Sequence, residues 1–436
     1  MIQFAVFVLA ATSFVSLAGA GTNFAVELRR VATLPPTSLN QFIPTGAAPF
    51  DLAAAQSNGL NSTSSPSVGS GLARDQNGTL FGITDRGPNA LVMTGSDGRE
   101  RRVLPLPEFA PGIVRLNLRG DSLAIREFIP LRNRNGKPLT GLANEASEEP
   151  CYNSANAATP LSPDPGGVDP EGIRCLPDGK FLLSEEYSPS LLVVATNGEV
   201  LMRYTPVSKP LPGAGYPVKN ILPDAITRRR PNRGFECLAL SADGRTAYAI
   251  LQSALGDAED ARYAGCRVHR VLELDVSDPL AARVTGMFLL PASRAGELRG
   301  TKNQNQVKLN DAEWLGPRRL LVLEQDKAAA RLRVADLSRA TNLLGRPDAD
   351  ALVYEDVHTD IIARQINTAS VTTLLELDSL PAIDSKKLEG LAILADDEIA
   401  LANDNDFGIG ENKSGEPSRI WVVRVPGHPF ADAVAK

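Results

Sequence analysis

One arrangement of apolar and polar positions recurs five times along the chain: a polar or acidic residue, a small or apolar run, a turn, and a second apolar run ending in acids. Ser70 opens SGLARDQNGTLFGITDRGPN, Glu171 opens EGIRCLPDGKFLLSEEY, Glu236 opens ECLALSADGRTAYAILQS, Glu313 opens EWLGPRRLLVLEQDK and Glu389 opens EGLAILADDEIALANDND. In four copies the two runs flank Asn77-Gly78, Asp178-Gly179, Asp243-Gly244 or Asp396-Asp397. Asn-Gly and Asp-Gly pairs tolerate positive φ at both central positions, so each copy is predicted as a tight β-hairpin. Further strands follow, such as SLLVVATNGEVLMRYTPV after the second copy, RVHRVLELDV with RVTGMFLL after the third and SRIWVVRV after the fifth. A hairpin with one or two more antiparallel strands is one propeller blade.

The pattern therefore predicts an all-β protein, a single β-propeller over residues 21–436 with long inter-strand loops. Six blades are expected, with five and seven as alternatives, the sixth being a degenerate hairpin around Val353 to Leu380. The strand FAVELRRVATL (Phe24 to Leu34) has no hairpin of its own and is expected to complete the last blade and close the ring. The excess length lies in polar stretches such as Gly141 to Pro170 and Ser293 to Asp311, the kind of loop that carries function on a rigid scaffold.

Composition sharpens this only slightly. With 36 Gly, 32 Pro and 22% charged residues the chain is an ordinary globular one broken into short elements. The net charge of -6 and the absence of any basic run longer than Arg228-Arg229-Arg230 exclude a nucleic-acid partner. Phe4 to Ala18 is an uncharged apolar run followed by Ala18-Gly19-Ala20, a small-x-small cleavage pattern, so residues 1–20 read as a secretory signal. Met1-Ile2-Gln3 lacks the usual basic residue, which leaves an uncleaved N-terminal anchor as the alternative and no other membrane contact. Periplasmic or secreted location follows, for a protein expected to be a monomer. In such a compartment Cys237 with Cys266 and Cys151 with Cys175 are the expected disulfides, because those loops are local.

The acids are distributed in a way that packing alone does not require. Residues equidistant from a tight turn are cross-strand neighbours, and counting outward sets Glu171 against Glu186 and Glu389 against Asp404. Carboxylates thus collect at one end of every hairpin. If the hairpins are the inner strands of the blades, Asp85, Glu171, Glu185, Glu186, Glu236, Glu313, Glu324, Glu389, Asp404 and Asp406 converge on one mouth of the central channel. Like charges so placed call for a cation among them. An oxygen-rich site in a chain with only 3 His favours calcium over zinc or copper, with another divalent metal as the alternative.

The runs FGITDRGPN, DPEGIRCLPDGKFLLSEEYSPSLLVV, NRGFECLALSADGRTAYAILQSAL, LLVLEQDK and KLEGLAILADDEIALANDNDFGI resemble, in order and wording, the phytase-like proteins with esterase-like activity, from about Leu72 to Val425. The resemblance implies a β-propeller, export, and metal-dependent hydrolysis of a small-molecule ester, above all a phosphate ester. Carried over residue by residue, it points to Asp85 and Arg86 in TDRGPN, Glu171 in DPEG, Glu185 and Glu186 in SEE, Glu236 in GFEC, Glu324 in LEQD, Glu389 in LEG, and Asp404 and Asp406 in NDNDFG. Two positions depart from the family pattern: Cys237 where Gly is usual, and Gln325 where Arg is expected after Glu324, with Lys327 as its substitute.

For phosphate-ester hydrolysis the metal set is Glu171, Glu185, Glu236, Glu313, Glu324, Glu389, Asp404 and Asp406, holding two or more cations that activate a water. Asp85, Arg86, Glu186 and Lys327 are the catalytic set, Arg86 binding phosphate through its fork. Lys302 and Lys308 are further cationic candidates. A serine hydrolase is disfavoured by the lack of G-x-S-x-G, Gly69-Ser70-Gly71 being a near miss, and a histidine acid phosphatase by the lack of Arg-His-Gly. The alternatives are a gluconolactonase-like lactone hydrolase and a non-catalytic periplasmic binding or scaffold propeller with a structural metal.

Overall fold

The computed structural model describes residues 15–16, 25–42, 66–93, 100–146, 148–154, 157–383, 387–408 and 416–434. The turn chemistry is realised in the backbone: Gly78, Gly179 and Gly244 take φ of 83°, 86° and 70°, a region where a Cβ is strained, and each sits in the turn of a hairpin. Each hairpin grows outward by two further antiparallel strands. Blade 1 is Gly71–Arg74, Leu80–Ile83, Gly112–Arg119 and Ser122–Pro130; blade 2 is Pro170–Cys175, Phe181–Glu185, Ser190–Val194 and Val200–Pro206. Blade 3 is Phe235–Leu240, Thr246–Leu251, Val268–Asp275 and Arg283–Pro291, and blade 4 is Lys308–Gly316, Arg319–Gln325, Ala330–Asp336 and Ser370–Glu376. Blade 5 is Leu388–Ala395, Glu398–Asn403, Arg419–Arg424 and, as expected for the early strand, Ala25–Thr33.

Strand alternation explains why the blades assemble. In Thr246–Leu251 the residues Ala247, Ala249 and Leu251 face blade 2, while Tyr248 and Ile250 face blade 4. Every blade is apolar on both faces, and five buried layers result, one between each adjacent pair. The layer between blades 5 and 1, built from Ala392, Ala400 and Ile420 against Leu72, Val114 and Leu116, closes the circle. Each fully buried Leu or Ile in these layers contributes about 1.5–3 kcal/mol. A single parallel bridge, Thr33 to Ser122, ties the outer strands across the same seam.

Among the described residues the ring therefore has five blades, not six. Val353 to Leu380 forms no blade of its own: after an excursion it returns as Ser370–Glu376, the outer strand of blade 4. The strand-like character read from TTLLELDSL is real, but its partner already stands in the preceding blade. The excursions elsewhere form a small sheet of Ala90–Met93, Glu100–Val103 and Cys151–Tyr152. All four cysteines are free thiols, which corrects both expected disulfides. Cys237 lies on an inner strand inside the layer between blades 3 and 4, whereas Cys266 belongs to the layer between blades 2 and 3, on the other side of the sheet. The predicted signal lies outside the described residues except for Val15–Ser16, which pairs with Val26 and Ala25. No described helix is long and apolar enough to cross a membrane.

The channel is plugged partway along. Arg174 of blade 2 donates to the Leu72 carbonyl of blade 1 at 2.7 Å and to Asp311 of blade 4 at 2.9 Å. Asp311 in turn accepts the Leu391 N–H of blade 5 at 2.8 Å. One ion pair thus joins the inner strands of four blades, and it defines the floor beneath the acids.

Candidate functional site

The acids sit on β-bulges. In blade 2 Pro170 pairs with Glu185 and Gly172 with Ser184, which leaves Glu171 as the extra residue. The same interruption leaves Glu236 in blade 3, Asn310 in blade 4 and Glu389 in blade 5. A bulge re-aims its side chain out of the ladder, and blade 1, which has none, places Ser70 just before its first strand. A one-residue offset nearer the turn and the bulge together shift the predicted pairs of blades 2 and 5 by two, so Glu185 faces Pro170 and Asn403 faces Leu388.

Glu171, Glu236 and Glu389, from three blades, each offer a carboxylate oxygen within 4.8 Å of the others, and all three are buried. Asp169, Glu171 and Glu186 form a second triad of the same span, sharing Glu171. Glu236 has one oxygen bonded to the Gln252 amide, while its Oε2 is buried without a hydrogen bond, as is Oδ2 of Asp169. Unmade bonds of this kind on buried oxygens are costly. Burial, then the neighbouring acids, push Glu171, Glu236 and Glu389 well above the usual carboxylate range, with Lys308 and Lys387 opposing this at Glu236 and Glu389. Asp85, buried in the loop after the blade 1 hairpin, is pushed up by burial and by Asp404 and Asp169.

A second tier of side chains stands two residues before the bulges, on the same strand face: Asp169 in blade 2, Lys308 in blade 4 and Lys387 in blade 5. Lys387 pairs with Asp404, with Asp406 at 2.6 Å and with Glu389 at 3.7 Å. Burial would raise Asp404, but Lys387, the Ser67 hydroxyl at 2.5 Å and the Asp406 N–H hold it below its usual range. Burial and the Asp404 charge outweigh Lys387 at Asp406 and carry it to about 6. Burial and then Arg233 bring the Lys308 ammonium down to about 8. Arg86 approaches Asp169 Oδ2 at 3.3 Å and Glu149 at 3.4 Å, bonds the Tyr187 hydroxyl and Asn232, and lies over the Tyr187 ring. Its fork is thus engaged by protein groups, and it flanks a 340 Å³ cavity lined by Glu149, Tyr187 and Asn232.

Of the residues named from sequence, Asp85, Arg86, Glu171, Glu186, Glu236, Glu389, Asp404 and Asp406 come together at this mouth. Four do not join them. Glu185 is wholly buried against Arg203 at 2.7 Å and accepts from Ser190 and from the Asp169 and Tyr187 N–H groups. Glu324 is likewise held by Arg333 at 2.7 Å and by Ser293. Glu313 is three residues beyond the blade 4 bulge, 3.7 Å from Arg174 below the plug, so Asn310 and not Glu313 occupies the bulge position. Lys327 is exposed in the turn between the second and third strands of blade 4, and the Gln325 side-chain Oε1 accepts the Leu388 N–H, bridging blades 4 and 5. Sequence reading missed Asp169 and Lys387. Both lie two residues before an identified acid, and period-two alternation from Glu171 and Glu389 would have found them.

The phytase-like family model, described as esterase-like activity of phytase, matches residues 68–407. An uncharacterized secreted protein of Arthroderma benhamiae is 28% identical over 229 residues, covering 46% of this chain and 44% of that one. The chain therefore spans less than half the length of that relative. Among solved structures, the periplasmic gluconolactonase of Pseudomonas aeruginosa is 13% identical at a TM-score of 0.31, covering 95% of this chain and 99% of its own. Regucalcin, a calcium-binding protein of Agrobacterium tumefaciens, is 11% identical at a TM-score of 0.33, covering 84% and 92%.

Proposed function

The chain belongs to the phytase-like family described as esterase-like activity of phytase, and on that premise we propose an exported, calcium-dependent hydrolase of phosphate esters, working in the periplasm or outside the cell. The observation that carries the reading is the meeting of Glu171, Glu236 and Glu389 within 4.8 Å. The donor set fits a hard cation: every ligand atom is an oxygen, and the buried, unbonded Oε2 of Glu236 is the kind of atom a cation satisfies. Glu171, Glu236 and Glu389 would hold the ion. When bound, it supplies the charge that polarises an ester oxygen and acidifies a water.

The rest of the work falls to the chain. Asp169 Oδ2 and the Glu186 carboxylate offer acceptor oxygens for the proton that the attacking water gives up, in a buried mouth floored by Arg174 and Asp311. Arg86 holds Asp169 from its backbone N–H, 2.9 Å from Oδ1, as well as from its side chain, so it positions that acceptor. Lys387 fixes Asp404 and Asp406 beside Glu389 and offsets their charge.

Turnover of a chromogenic phosphomonoester, measured with and without a chelator, tests the reading. Activity should vanish in chelator and return with calcium. In Glu236→Gln the calcium-induced gain in stability, about 2.7 kcal/mol at a hundredfold excess over Kd, should disappear together with turnover. A chelator that lowers only the melting temperature, with no turnover of phosphate, carboxylic or lactone esters at any calcium level, would leave a metal-bearing scaffold instead.

A further inference from the structure

The bulges carry a glutamate on blades 2, 3 and 5 but Asn310 on blade 4, and this asymmetry bears on which ester the mouth accepts. Lys308 begins the inner strand of blade 4 two residues before the bulged Asn310, so its side chain shares the face that lines the mouth. Blade 4 contributes Asn310 where blades 2, 3 and 5 contribute Glu, and Lys308 stands on the solvent side of it. Its ammonium lies in the field of Glu236 and Glu389 on either side, yet among the described residues no carboxylate lies within ion-pairing distance of Nζ. Arg233 adds positive charge next to it: its guanidinium donates to the side-chain oxygen of Gln252 at 2.9 Å while its Nε is buried without a partner. A cation held by Glu236 and Glu389 would engage the two carboxylates whose field now compensates Lys308, leaving the ammonium, with Arg233 beside it, open to an anionic partner.

Resting on the hydrolase reading above, we infer that Lys308 is the anion-binding residue of this mouth and gives it preference for dianionic phosphate monoesters over uncharged esters and lactones. A phosphoryl group drawn to the bulge tier would meet Lys308 two residues away on the same strand, and ammonium-to-phosphate hydrogen bonds are among the stronger ones.

The test is calorimetric binding of inorganic phosphate to the calcium-loaded full chain, with KM and kcat for a phosphomonoester measured alongside. In Lys308→Gln, phosphate affinity should fall about tenfold or more and KM should rise with it, since a hydrogen bond to a charged group is worth roughly a tenfold factor or more. Calcium affinity should rise, because a positive charge beside Glu236 and Glu389 has gone. Lys308→Arg should restore phosphate binding. Should Lys308→Gln not fold, Lys308→Met keeps the aliphatic stem and removes the same charge. Unchanged phosphate affinity overturns the inference, as does a joint loss of calcium and phosphate, which would mark Lys308 as a brace. The two readings fail separately: esters turned over with phosphate affinity indifferent to Lys308 sinks this inference alone, and phosphate bound through Lys308 without turnover sinks the hydrolase alone.

Discussion

Glu185 and Glu186 are adjacent in sequence and both buried, yet they belong to different regions of the molecule. Glu185 ends the second strand of blade 2 and is enclosed by Arg203, Ser190 and two backbone N–H groups. Glu186, one residue on, turns into the channel and joins Asp169 and Glu171. The contrast extends round the ring. The residue paired on the mouth side of each bulge is Glu185, Leu251, Glu324 or Asn403, and each is braced locally: by Arg203, by His269 on the Leu251 carbonyl, by Arg333, and by the Arg419 N–H. Among the described residues, Glu171, Glu236 and Glu389 at the bulges form no ion pair with an arginine. Buried carboxylates with complete partners hold the blade, and buried carboxylates with open oxygens are left for a ligand.

The largest effect should come from breaking a brace. Glu185→Ala leaves Arg203 charged, wholly buried and short of its carboxylate, a change that costs about 3–5 kcal/mol. Denaturant unfolding should show that loss while the calcium-induced gain in stability persists. If instead Glu185→Ala is stable and insensitive to calcium, Glu185 belongs with the channel acids and the division between the two sets collapses.

Blade 3 braces the same position with an imidazole, which makes the comparison sensitive to pH. His269 is buried, and its Nδ1 lies 3.0 Å from the Leu251 carbonyl. Burial, with Arg230 and Arg333 nearby, lowers its pKa from 6.5 to about 4. As pH falls through 6.5 the unfolded chain takes up a proton that the folded one refuses, so stability is lost between pH 6.5 and 4, by roughly 3 kcal/mol at about 1.4 kcal/mol per unit. His269→Gln should flatten that part of the stability profile while preserving a side-chain donor to the carbonyl. An unaltered acid limb would mean that other groups set it.

Much of this was legible in the sequence, and what was not has a local cause. Asn77-Gly78, Asp178-Gly179 and Asp243-Gly244 announce three hairpins because few backbones other than glycine's tolerate the turn, and Glu171, Glu236 and Glu389 recur at one place in the pattern. The bulges are invisible to that pattern, because an extra residue shifts the pairing without altering polarity, and so the mirror count slipped by two in blades 2 and 5 and Glu185 was placed in the mouth with Glu186. Glu313 was read as a repeat opener because blade 4 carries Asn310 at its bulge, which no search for acids would find. The blade count was overstated because the outer strand of blade 4 arrives after an excursion of more than thirty residues. Arg174 and Asp311 gave no signal at all, since a buried ion pair that crosses a channel depends on two strands far apart in sequence.

The smallest effect is expected at Lys327, and it separates position from charge. Gln325 stands where the family pattern expects an arginine, and Lys327 is the nearest basic residue after it. The strand, however, ends at Gln325, whose side chain is directed to the Leu388 N–H, and Lys327 follows in an exposed turn on the outward side of the blade's second strand. A lysine in that setting is screened by water and holds no fixed geometry. Lys327→Ala should therefore change stability by no more than about 0.5 kcal/mol and leave KM for a phosphomonoester within about twofold, a difference of roughly 0.4 kcal/mol. Lys308, of the same type and nineteen residues earlier, should show the full loss of phosphate affinity. A tenfold rise in KM for Lys327→Ala would mean that the turn folds over the mouth when substrate binds, and the cation of blade 4 would then have to be reassigned from the start of its first strand to the end of its second.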